Sequence, residues 1–133
     1  MKLWMTSETE SSVADDLRLV RNSVEDDLGS YLFDKNYDLE LGSLDCIIIL
    51  RNDDVFEEIT RYSPKKRDMD FRLSINFDTF VSSDFGKRKT LVLETIIRAI
   101  DILATKKSIN KEAIQNLRGD VISFGESHDL LPI

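Results

Sequence analysis

Residues 37–51, YDLELGSLDCIIILR, decide how this chain is laid out. In the first half Tyr37, Leu39 and Leu41 alternate with polar neighbours, the period-two signature of a half-buried strand. Gly42 and Ser43 supply turn chemistry, and Cys46 to Leu50 is an unbroken apolar run, as expected of a central strand covered on both faces. The segment reads as a β-hairpin whose second arm lies at the heart of a sheet.

Downstream, Asn52 to Asp54 is a turn signal, and two more β-prone runs follow, Phe56 to Tyr62 and Phe71 to Phe77, joined by SPKKRDMD. In the later run Phe71, Leu73, Ile75 and Phe77 alternate with Arg72, Ser74 and Asn76, which predicts one buried and one wet face. Upstream, KLWMTSE (Lys2 to Glu8) reads as a short first strand. After it Val13, Leu17, Val20, Val24 and Leu28 recur every three or four residues, the stripe of an amphipathic helix. Thr6 or Ser11 is placed to cap that helix, with Asp15 and Asp16 at the positive end of its dipole. Gly29 is expected to end it or break its last turn, with Tyr31, Leu32 and Phe33 packing the exit.

Leu93, Ile96, Ile97, Ile100 and Leu103 or Ala104 mark a long core helix. NKEAIQNLRG reads as a shorter helix stopping at Gly119, and the tail beyond it as a short edge strand at Val121 to Phe124. Strand runs grouped between helices predict an α+β fold, an antiparallel sheet of about four to five strands with two or three helices packed mainly on one face. With 133 residues and no repeat or linker, residues 1–133 form one domain.

The net charge of −7 is unevenly spread. Residues 1–60 carry fifteen Asp and Glu against five Lys and Arg, whereas residues 61–133 carry ten against thirteen. From Val24 to Asp45 the acids crowd together with Lys35 as the one cation. An acidic chain lacks the basic stripe that displaces counterions from phosphates, so direct nucleic-acid binding is not its main work. The short basic runs Lys65 to Arg67 and Lys87 to Lys89 read as solvated surface.

Catalytic chemistry has little to stand on. His128 lies in the polar tail, a poor place to hold a base in register with a substrate. Cys46 opens the presumed central strand, where a thiol is a small buried hydrophobe. NDD and EDD lack the alternate spacing and glycine of a calcium loop, so no metal site is expected. GKRKT has one glycine before a basic helix start, far short of a phosphate-binding loop, and no cofactor is expected. No apolar stretch approaches the roughly 18 residues of a membrane span, and the first residues lack a secretory core, which points to the cytoplasm.

A one-sided acidic surface on a small domain suits binding to something basic, because complementary fields steer encounter. The acids Asp26, Asp27, Asp34, Asp38, Asp53, Asp54 and Glu57 are the candidate contact charges. Tyr31 and Tyr37, whose hydroxyls tolerate water, are the candidate aromatic anchors, ahead of Phe33 and Phe56.

The strand KLWMTSE with its Trp4, the acidic helix after it, the strand runs, the long second helix and the small size resemble bacterial immunity proteins of polymorphic-toxin and contact-dependent growth inhibition systems. The resemblance implies a non-enzymatic antidote. It would bind a cognate toxin domain one to one, in many relatives a basic nuclease acting on tRNA or other nucleic acid, and block its active site or substrate groove. Two other classes fit the same charge pattern, an adaptor or regulatory subunit and a small enzyme working through carboxylates alone.

Overall fold

The computed structural model describes residues 2–8, 13–33, 35, 37, 43–51, 59–63, 68–105 and 110–131. Among the described residues four strands and four helices follow in the order β1 (Lys2–Glu8), α1 (Ala14–Leu32), β2 (Ser43–Arg51), β3 (Ile59–Ser63), β4 (Asp68–Asn76), α2 (Phe77–Ser82), α3 (Phe85–Leu103) and α4 (Lys111–Ser127). The strands form one sheet in the order β1-β2-β4-β3.

The sheet is mixed, and this overturns the antiparallel arrangement expected from the sequence. β1 runs parallel to β2, from Lys2 beside Ser43 to Glu8 beside Ile49. β2 runs parallel to β4, from Ser43 beside Asp68 to Arg51 beside Asn76. Only β3 and β4 are antiparallel, with Ile59 beside Arg72 and Ser63 beside Asp68. Parallel neighbours need a crossover, and α1 supplies it: 19 residues rising about 1.5 Å each return the chain some 28 Å, about the length of the strands it links. Both edges of β2 are taken by β1 and β4, which leaves no edge for a hairpin partner ahead of Ser43. Leu39 and Leu41, the expected first arm, lie outside the described residues, as does Phe56. Phe77, placed at the end of a strand by its alternation, instead opens α2, where the Asn76 side chain accepts from the Thr79 N–H at 2.9 Å.

Cys46, Ile48 and Leu50 of β2 share a buried face with Leu73 and Ile75 of β4. The opposite face is covered less evenly, with Ile47 and Ile49 half-buried and Ser74 buried beside Ile49. α1 and α3 pack on the sheet and on each other, while α4 packs on α3 and α1. The stripe of α1, Leu17, Val20, Val24 and Leu28, is at most 1% exposed, so its periodicity marks the core side of the helix. Val92, Leu93, Ile96, Ala99, Ile100 and Leu103 do the same for α3.

Both helix ends foreseen at a glycine lie elsewhere. α1 passes through Gly29 to Leu32, and it starts after Val13 with no side-chain cap; of the two expected caps, Thr6 belongs to β1 and Ser11 lies outside the described residues. α4 passes through Gly119 to Ser127, so Val121 and Phe124 are buried helical positions three residues apart instead of a strand. The stop of α4 is a Schellman motif. Asp129 takes the left-handed conformation at φ 57°, its N–H donates to the Glu126 carbonyl at 3.3 Å, and Leu130 N–H donates to the Gly125 carbonyl at 2.8 Å.

Candidate functional site

The acids of α1 divide into two sets. Asp15 is tied to Arg18 at 2.6 Å, and Asp16 faces Arg88 of α3 at 3.7 Å, so the charge of the first turn is answered locally. Asp26 and Asp27, eleven residues further on, are exposed and make no ion pair among the described residues. Their carboxylates give this end of the helix its outward field.

Gly29 lies one turn beyond Asp26 on the helix surface. A Cβ placed there would meet nothing within 4 Å. A shallow depression of about 460 Å³ opens at this point, lined by Glu25, Asp26, Gly29, Ser30 and Phe33. Leu19, Asp26 and Phe33 are spaced seven residues apart, which puts them on one line along the helix. Leu19 is 62% exposed and Phe33 is 89% exposed, so the line has an apolar group at each end and a carboxylate between.

The two tyrosines turn the other way. The Tyr31 ring packs at a tilt against that of Phe124 of α4, 5.6 Å between centres, and the Lys35 ammonium lies 5.5 Å from the Tyr31 ring centre. Tyr37 donates a hydrogen bond to Asp120 of α4, whose other oxygen faces Lys35 at 4.0 Å. Burial, reinforced by that bond to Asp120, pushes the Tyr37 phenol above its ordinary 10.0. Both rings therefore hold the exit of α1 against α4, while Phe33 stands in solvent. Asp34, Asp38, Asp53, Asp54 and Glu57 lie outside the described residues. Of the sequence-predicted residues the structure thus brings together Asp26 and Asp27 on one helix turn and Tyr31 and Tyr37 at the α1–α4 contact. Sequence reasoning missed Leu19 and ranked Phe33 below the tyrosines; the seven-residue spacing away from the buried stripe was the available signal.

The basic run at the start of α3 has structural work. Arg88 donates to the Phe80 carbonyl at 2.9 Å and the Val81 carbonyl at 3.2 Å, stacking over the Phe80 ring and closing the end of α2. Lys89 lies over the Phe85 ring at 5.4 Å. The N-terminus of α3 is already capped by a carboxylate, since Asp84 accepts from the Lys87 N–H at 2.8 Å. His128 sits at the end of α4, with Nδ1 2.9 Å from the Phe124 carbonyl and 3.0 Å from Ser127 Oγ, and its ring 4.2 Å from that of Phe124. Cys46 is fully buried. Among the described residues no three His, Cys, Asp or Glu side chains gather as metal ligands would, and no helix is long and apolar enough to cross a membrane.

A small domain with an acidic, partly apolar helix face is suited to gripping another protein, and comparison with known families gives that partner a class. The model of the family described as immunity protein 44 matches residues 1–127, from β1 through the last residue of α4. This chain belongs to the immunity protein 44 family. No curated protein and no solved structure matches it. For an immunity protein the implied partner is a cognate toxin.

Proposed function

We propose that this immunity protein neutralises the toxin of a polymorphic-toxin or contact-dependent growth inhibition system by binding it one to one in the cytoplasm. The toxin in this reading is a basic nuclease, such as one acting on tRNA, and the acidic surface covers its active site or substrate groove. Family membership over residues 1–127 carries the reading. The charge adds the finer part: a nuclease must present cations to phosphates, and carboxylates held on a rigid scaffold take up the same positions. Asp26 and Asp27 supply that charge from α1, Asp34, Asp38, Asp53, Asp54 and Glu57 are the further candidate charges of the acidic half of the sequence, and Tyr31 and Tyr37 are the candidate anchors. Inhibition by binding needs no catalytic group.

The test is protection. The toxin domain encoded by the neighbouring gene is expressed with and without this protein, and growth and tRNA integrity are followed. Rescue of both, with inhibition reproduced by purified components and weakened by salt, is the expected result. An intact toxin activity in the presence of excess immunity protein would refute the reading.

A further inference from the structure

Leu19 and Phe33 are the large apolar side chains that α1 leaves exposed, and folding does not account for either. Phe33 closes the helix through its backbone, its N–H donating to the Ser30 carbonyl at 3.4 Å, and the ring takes no part in that bond. The neighbouring Tyr31 and Leu32 pack against the core, so the exit of α1 is held without the Phe33 ring. Rings that stand clear of their own core beside a depression are the residues that carry binding energy in protein interfaces. The charge of the face selects the occupant. Asp26 and Asp27 would confront each other across a pairing of two α1 faces, and they repel an anionic lipid surface, whereas a basic partner gains from both.

We infer that the line Leu19–Asp26–Phe33, with the hollow over Gly29, is the face on which the basic toxin seats: Phe33 enters an apolar pocket of the toxin, and an arginine or lysine of the toxin lays its stem over Gly29 and its charge against Asp26. This rests on the toxin-binding reading above. Gly29 matters here because the missing side chain leaves room for the incoming one. Phe33 supplies residence time, and Asp26 supplies rate of encounter and register.

The experiment measures association of the catalytically inactivated toxin domain encoded by the neighbouring gene with wild type, Phe33→Ala, Gly29→Gln and Phe85→Ala by surface plasmon resonance at physiological salt. Phe33→Ala is expected to weaken binding at least about thirtyfold, mainly through faster dissociation. Gly29→Gln is expected to weaken it about tenfold or more while raising the melting temperature, because its side chain fills the hollow and favours the helix. Phe85→Ala removes a different exposed ring, 51% exposed at the start of α3, and should bind within about twofold of wild type. Wild-type affinity in both α1 variants, with the toxin still bound, would overturn the assignment of the face and leave toxin binding standing. Failure of the wild type itself to bind would overturn both. Sedimentation showing a wild-type dimer that Phe33→Ala dissociates would assign the face to a second copy of this chain, and so overturn the proposal.

Discussion

Substituting alanine at Gly125 and at Gly119 changes one methyl group in one helix and is expected to move stability in opposite directions. Gly119 lies on the open side of α4, where an added Cβ meets nothing within 4 Å. Alanine there gains about 0.5–1 kcal/mol from helix propensity and from a less flexible unfolded chain. At Gly125 an added Cβ would fall 2.5 Å from Leu131 Cδ1, 2.6 Å from Leu131 Cγ and 2.7 Å from Leu93 Cδ2. Ordinary contact begins at 3.4 Å, so Leu131 must retreat by about 0.9 Å (3.4 less 2.5) and Leu93 by about 0.7 Å (3.4 less 2.7). Leu93 is fully buried, and the chain at Leu131 is pinned by its own N–H to the Gly125 carbonyl at 3.1 Å and, through Leu130, by Thr90 Oγ1 at 2.6 Å. Overpacking of this kind costs about 1–3 kcal/mol, and the propensity gain offsets part of it, leaving a net loss of about 1–2 kcal/mol. At about 2.1 cal/mol/K of unfolding entropy per residue, 1 kcal/mol moves the midpoint of a chain this size by about 3–4 °C. Thermal melts followed by far-UV circular dichroism should place Gly125→Ala about 4–7 °C below wild type and Gly119→Ala about 2–4 °C above it. Adding Leu131→Ala to Gly125→Ala should recover part of the loss. Equal stabilisation by the two single substitutions would refute the packing of the tail over α4.

Three further outcomes follow from the same structure. Asp129→Gly should raise stability by about 0.5–1 kcal/mol, seen as a higher melting temperature, because glycine takes the left-handed conformation freely and removes a negative charge from a helix C-terminus. Tyr37→Phe bears on alkaline stability: the folded phenol ionises above its ordinary 10.0, so the stability it contributes is complete below that value and is lost as pH rises beyond it. Urea midpoints on either side of that pH should therefore fall more steeply for wild type than for Tyr37→Phe, and parallel curves would show that the Asp120 bond does not favour the neutral phenol. Reversing the charges of Asp26 and Asp27 together with Asp53 and Asp54 should leave the melting temperature nearly unchanged and slow association with the inactivated toxin about tenfold at low salt, with the difference shrinking as salt rises; an unchanged rate at low salt would place the docking charge elsewhere.

The sequence by itself determined the two long helices α1 and α3 and the sign of the net charge. A stripe such as Leu17, Val20, Val24 and Leu28 repeats at the helical period, and burial follows because one side of a helix must leave water. The excess of acids in residues 1–60 is a matter of counting. The direction of strand pairing was another matter. Tyr37 to Ser43 offers local turn chemistry, and a hairpin satisfies it, but Ser43–Arg51 found its partners at Lys2–Glu8 and Asp68–Asn76, far away in the chain. Its unbroken apolar run suits a parallel central strand covered on both faces, whereas the turn residues beside it carry only local information. The glycines misled for a related reason: helix propensity prices Gly29 and Gly119 at about 1 kcal/mol each, which packing of the neighbouring turns against α3 and the core readily overrides. Only the tertiary structure decided which acids and which rings face outward. Asp15 and Asp16 were neutralised by Arg18 and Arg88, Tyr31 was drawn onto Phe124, and Phe33, two residues away, was left in water because α4 can cover only one side of the exit of α1.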